Sequence, residues 1–240
     1  MIRTRTDGDV RVVTLDRPEA RNALRPGDLT ALREAFEGAE REEPERDGRP
    51  PVTYLRGAGD AFCAGADLDA VAALDDPEAF ARRGQRAAAA IAESASVVVC
   101  GIDGPARGGG VELALAADVR VATPRATFAE PGVSFGLFGA WGGTVRLPRV
   151  MREGDALDFA LSGRVLDAET ALRTGLVSRV VDDPRSVADE VAGGEADALT
   201  AIKRRMRDRR DGDTQERAEA TAFADLHAAH ADEIGRLREE

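Results

Sequence analysis

Gly104-Pro105-Ala106-Arg107-Gly108-Gly109-Gly110-Val111-Glu112-Leu113-Ala114-Leu115-Ala116-Ala117-Asp118 is the stretch on which the reading of this 240-residue sequence turns. A glycine run meets an apolar segment that reads as a helix reaching about Ala117. At such a junction the first amide N–H groups lack an intrahelical acceptor, and the positive end of the helix dipole faces outward. That arrangement suits an anion or a developing oxyanion. Glu112 follows Gly109 by three residues and shares its helix face. A carboxylate beside such amides, walled by apolar residues, suits general acid–base work. The same residues also fit a plain turn followed by a solvated or dipole-pairing glutamate, and spacing alone does not choose.

Working upstream, Val97, Val98, Val99, Cys100 and Ile102 form the continuous apolar run of a buried parallel strand. Val10 to Leu15 and Val52 to Arg56 read as strands, with a helix from about Asp28 to Glu42 and a charged, proline-containing loop over Glu43–Pro51 between them. Ala61 to Leu68 is built of small residues that let a backbone approach a ligand closely. Pro77 to Ala95 suits a helix with proline in its first turn. Downstream, Val119–Ala122 and Val177–Val181 read as strands, Thr127 and Phe128 as extended, and Glu153–Leu161 and Ala168–Thr174 as helices. From about Ser186 the pattern is helical and highly charged. The expectation is an α/β core with a parallel component over residues 1–185 and a helical region over 186–240, with no fixed-period repeat.

Other motifs carry less. Gly132-Val133-Ser134-Phe135-Gly136 matches the G-x-S-x-G nucleophile elbow, but the segment that follows is a poor helix opening. Trp141-Gly142-Gly143-Thr144 through Arg149 reads as a helix start on a loop, or as a pocket wall. Cys63 has no His or Lys nearby in sequence to lower its pKa and reads as a packed residue. The cluster Arg204, Arg205, Arg207, Arg209 and Arg210 reads as a solvated helix face. The two histidines, His227 and His230, and two cysteines form no zinc-binding pattern, so no metal is expected.

Composition narrows the partners. The chain is 43% apolar, enough for a sizeable core, with a net charge of −11 that argues against a nucleic-acid partner. Its basic residues number 33, and Lys203 is the single lysine. This fits either salt adaptation or a GC-rich genome. No apolar run approaches the roughly 18 residues of a membrane span, and the polar N-terminus lacks a signal-peptide core, so the protein is expected to be cytoplasmic.

Taken in order, these segments resemble the crotonase (enoyl-CoA hydratase/isomerase) superfamily almost end to end. The matching stretches are Leu15-Asp16-Arg17-Pro18-Glu19-Ala20-Arg21-Asn22-Ala23-Leu24, Gly57 through Leu68, Gly104 through Asp118, Gly142-Gly143-Thr144 with Arg146-Leu147-Pro148-Arg149, Leu161-Ser162-Gly163-Arg164, Ala168-Glu169 and Gly175-Leu176-Val177. The resemblance implies a spiral of ββα repeats with a C-terminal helical region that builds homotrimers, often paired into hexamers. It implies an acyl-CoA thioester substrate, and no cofactor beyond the coenzyme A that the substrate carries. It places the oxyanion-hole amides at Ala66 and Gly109, the coenzyme A border at Ala64, Asp67 and Leu68, and the first hydratase glutamate at Glu112.

One position departs. The second hydratase glutamate follows the proline of a Phe-x-x-Pro-Glu stretch, but Phe128-Ala129-Glu130-Pro131 is followed by Gly132. The expectations are hydration of a 2-enoyl-CoA through Glu112 alone, another oxyanion-hole reaction such as isomerisation, decarboxylation or thioester hydrolysis, or a catalytically weak scaffold. Gly132 is expected to border the substrate and leave room for a bulkier one. Glu130, displaced by two residues, is the candidate to swing in as a substitute acid.

Overall fold

The computed structural model describes residues 1–42 and 51–237; the loop expected over Glu43–Pro51 lies, as far as Pro50, outside the described residues. Two compact units are present, Met1–Ala192 and Gly193–Glu240.

The first unit opens with a hairpin of β1 (Ile2–Asp7) and β2 (Val10–Leu15), followed by α1 (Pro26–Glu42). β3 (Val52–Gly57) leads to α2 (Leu68–Ala72) and α3 (Pro77–Glu93). β4 (Val97–Ile102) and β5 (Pro105–Arg107) lead to α4 (Gly109–Ala116). β6 (Val119–Ala122) and β7 (Thr127–Ala129) lead through a 3₁₀ turn, Pro131–Phe135, to α5 (Gly143–Val150) and α6 (Glu153–Ser162). β8 (Leu166–Asp167), α7 (Ala168–Arg173), β9 (Arg179–Val180) and α8 (Arg185–Ala192) complete it.

The strands sort into a six-stranded sheet of order β1-β2-β3-β4-β6-β9 and a three-stranded sheet of order β5-β7-β8. β1 is antiparallel to β2, and the other pairs in the larger sheet are parallel. The smaller layer is extended by isolated bridges, Cys63 with Ala106 and Leu24 with Ala66. Successive turns of chain therefore add one strand to the large sheet, a second extended piece to the small layer, and then a helix. The repeat expected from the resemblance is present as a pairing pattern, although no sequence period marks it. β4 is buried at all six residues, as its uninterrupted apolar run requires of a strand covered on both faces.

Local chemistry sets the helix ends. Asp76 accepts the Ala79 N–H at 2.9 Å, with Pro77 in the first turn of α3. Phe80, Gly84, Ala87, Ala88 and Ile91 form the buried stripe of α3. The helix stops at Glu93, two residues short of the expected Ala95, because Ser94 leaves helical geometry at φ −50°, ψ 137°. The strand expected over Val177–Val181 narrows to β9, paired with β6. α8 packs on β2, β3 and β4, so residues 186–192 stand with the core.

The second unit holds α9 (Ala196–Arg207), α10 (Gly212–Ala229) and α11 (Ala231–Leu237). Within it, His230 Nε2 meets Asp197 Oδ2 at 2.9 Å. Among the described residues no helix is long and apolar enough to cross a membrane.

Candidate active site

The site lies where α4 begins, between the small layer and α5. Gly108 holds φ 48° and ψ −118°, a backbone state open to glycine, and turns the chain from β5 into the helix. Its N–H donates to Ala129 O at 2.9 Å, fixing the glycine run against β7. Gly109 is the first residue of α4, so its N–H has no acceptor within the helix.

The Ala61–Leu68 segment meets this helix start from the other side. Arg107 N–H donates to Cys63 O at 2.9 Å. Gly65, at φ +87°, passes so close that a Cβ there would stand 2.5 Å from Arg107 O and 3.1 Å from Gly109 N. On the flank of Ala66, Leu24 N–H donates to Gly65 O at 2.8 Å and Asp67 N–H to Leu24 O at 3.0 Å. In a parallel bridge this pattern turns the Ala66 amide to the edge away from Leu24. Ala66 and Gly109, the pair implied by the resemblance, thus lie on backbone segments that pack against each other at Gly65.

Glu112 sits one turn into α4 at 1% exposure. Its Oε1 accepts N–H bonds from Trp141 at 2.7 Å and Gly143 at 2.6 Å. The carboxylate therefore faces the amino end of α5, where unpaired amides and the helix dipole favour negative charge. Burial pushes its pKa up to about 6, against the lowering effect of those backbone donors and of Arg146. A group poised there can exchange protons near neutral pH.

Trp141 braces the arrangement. Its ring lies on Gly109, where a Cβ would come within 2.1 Å of Cζ3, and on Gly84 of α3. Phe80 meets it edge-on at 5.8 Å. The Trp141–Arg149 segment is both of the things the sequence offered, a helix start and a wall of the site.

The remaining predicted residues take several positions. Asp67 caps α2 through Ala70 N–H and pairs with Arg17 at 2.6 Å, which holds its carboxyl below the usual carboxylate range. Ala64 is half-buried, with its N–H donated to Arg21 O at 2.9 Å, and Leu68 is exposed. Gly132 does not leave open room as expected: a Cβ there would stand 2.9 Å from Leu137 O, because Leu137 N–H folds back onto Gly132 O at 2.9 Å. Ser134 is exposed in a 3₁₀ turn rather than at a strand–helix elbow. Cys63 is buried, and burial drives its thiol up to about 12.

Sequence reasoning missed the part played by Asn22. Asn22, at φ 58°, is buried and donates to Ala58 O, Ala61 O and Phe62 O while accepting Arg17 N–H, so it ties the Gly57–Phe62 turn to the first loop. Its place in the Leu15–Leu24 stretch, as an asparagine able to take a positive φ, was the available signal. Glu130, the substitute acid of the sequence, is buried next to Pro131, and Trp141, from the possible pocket wall, covers Gly109. In the second unit, Glu195, Asp197 and His230 bring possible ligand atoms within 4.8 Å of one another, a grouping hidden by their separation along the chain.

Comparison with known proteins decides the family. The enoyl-CoA hydratase/isomerase family model matches residues 5–235. The chain belongs to the enoyl-CoA hydratase/isomerase family. Carnitinyl-CoA dehydratase of Salmonella arizonae is 34% identical over 223 residues, covering 90% of this chain and 83% of that protein. The crystal structure of enoyl-CoA hydratase from Thermoplasma volcanium superposes with a TM-score of 0.88 at 30% identity, covering 99% of this chain and 96% of the other. The enoyl-CoA hydratase structure from Bacillus anthracis gives 0.86 at 26% identity, covering 98% and 96%. This hydratase/isomerase fold, with its helical C-terminal region, is the α/β spiral that the resemblance led one to expect.

Proposed function

We propose that this chain hydrates a 2-enoyl-CoA thioester. The observation that carries the reading is Glu112, a buried carboxylate held by two amides of the α5 amino end and placed one turn beyond the Gly109 amide. The Ala66 and Gly109 N–H groups bind the thioester oxygen and stabilise the enolate formed when a nucleophile adds at C3. Glu112 removes the proton from the attacking water. Backbone around Ala64, Asp67 and Leu68 borders the coenzyme A arm. The names of similar proteins, hydratases and a dehydratase of acyl-CoA thioesters, support the same addition and its reverse.

The assembly we propose is a homotrimer or a pair of trimers. Exposed Val133, Phe135, Leu137 and Phe138, with Leu157 and Leu161 of the adjoining α6, supply an apolar face for it. Light scattering of Phe138→Glu against wild type tests this, and equal masses count against that face.

The activity is tested by mass spectrometry after incubation with short-chain, medium-chain and aryl 2-enoyl-CoA. Gain of one water by one of these is expected, and no gain with all three overturns the reading.

A further inference from the structure

Glu130 is a buried carboxyl that the reading above leaves without a task. It is 7% exposed, and its Oε1 is fully buried with no hydrogen-bond partner among the described residues. An unpaired buried polar atom is costly and calls for a reason. Glu130 follows Ala129, the residue whose carbonyl receives the Gly108 N–H, so its backbone adjoins the glycine run that opens α4. After burial, the Glu112 charge is the second cause that holds the Glu130 carboxyl above the usual carboxylate range.

The neighbouring charged groups are otherwise engaged. Arg107 of β5 donates to Ala106 O, Thr127 O and Thr127 Oγ1. Asp167 of β8 caps α7 through Thr170 N–H, and Asp158 of α6 pairs with Arg164. Position 132, where the resemblance places the second acid, is filled: a side chain there meets the Leu137 carbonyl. With position 132 closed, Glu130 is the buried carboxyl offered by the segment that follows β7.

We propose that Glu130 is the second acid–base group of the hydration, delivering the proton to C2 while Glu112 serves the water. The inference rests on the hydratase reading. Water loses a proton to the Glu112 carboxylate as its oxygen bonds to C3. The C2=C3 π electrons shift into the thioester as an enolate at Ala66 and Gly109. The enolate collapses as C2 takes the proton from the Glu130 carboxylic acid. Glu112 ends protonated and Glu130 ionised, and one proton passing between them restores the starting pair. The environment fits this division: burial first, then the Glu112 charge, raise Glu130 to about 8, so it keeps its proton where Glu112 has lost its own.

The test is the pH profile of kcat/KM on a 2-enoyl-CoA for wild type, Glu112→Gln, Glu130→Gln and Glu130→Asp. Wild type should rise through an acid limb and fall through an alkaline one. Glu130→Gln should lose about 10²–10⁴-fold in kcat and lose the alkaline limb, with KM little changed and a native circular dichroism spectrum. Glu130→Asp should recover part of the rate and the limb. A wild type without an alkaline limb, or a Glu130→Gln enzyme equal to wild type while Glu112→Gln is inactive, overturns the role of Glu130 and leaves the hydratase reading standing. A wild type without turnover removes both.

Discussion

The backbone N–H of Trp141 donates to Glu112 Oε1 at 2.7 Å, while the indole of the same residue lies on the α-carbon of Gly109. One residue thus holds the proposed acid–base group through its backbone and the proposed oxyanion amide through its ring. Truncating it should damage chemistry and stability together. Trp141→Ala should cost about 3–5 kcal/mol in denaturant unfolding and lower kcat more than it raises KM. Trp141→Phe should recover part of both. An alanine variant with unchanged kcat would separate the ring from the site.

The glycines facing Glu112 set how tightly its carboxyl is held. A Cβ at Gly139 would stand 2.7 Å from Glu112 Cδ, and one at Gly143 would stand 2.9 Å from Oε1. Gly139→Ala should push the carboxyl aside and lower kcat by about 10²-fold, the penalty of an ångström-scale misplacement. Steady-state kinetics read this directly, and a rate within twofold of wild type would show that Glu112 relaxes without loss.

Buried Glu130 also makes stability depend on pH. The unfolded carboxyl releases its proton near 4.5, and the folded one keeps it to about 8. The folded state therefore binds more protons between these values, and stability falls as pH rises through that window. The total is at most about 5 kcal/mol. Unfolding curves near pH 5 and near pH 9 should show wild type losing stability across this range relative to Glu130→Gln. Parallel behaviour of the two would mean that Glu130 ionises freely.

Charge balance bears on the ligand. Coenzyme A is a polyanion, the chain carries −11, and Lys203 is its single lysine. Several arginines are already tied to acids, among them Arg82 with Glu78 at 2.6 Å and Arg125 with Asp103 at 2.6 Å. Screening of this background should tighten coenzyme A binding as KCl rises from dilute to molar. Calorimetric titration checks it; an affinity that only falls with salt would show that local cations outweigh the net charge.

Much of this architecture was legible along the chain. The all-apolar β4, the capped start of α3 and the glycine-to-helix junction at Gly109 each have local causes that a sequence displays. Glu112 was legible because its spacing from Gly109 is helical. The hidden parts depend on contacts between distant segments. Trp141 reaches Gly109 and Gly84 only after α3, α4 and α5 pack. Asn22 earns its role by holding carbonyls some forty residues away. Gly132 reads as open space until Leu137 folds back over it, and the burial of Glu130, a candidate acid in the sequence, follows only once β7 and the turn after it pack.

The most direct measurement is the turnover of crotonyl-CoA by wild type and by Glu112→Gln, followed as loss of enoyl-thioester absorbance. The account predicts measurable hydration by wild type and a fall of about 10²–10⁴-fold in the variant, with its fold retained. A wild type inert toward short, medium and aryl 2-enoyl-CoA, or a Glu112→Gln enzyme as fast as wild type, would contradict it.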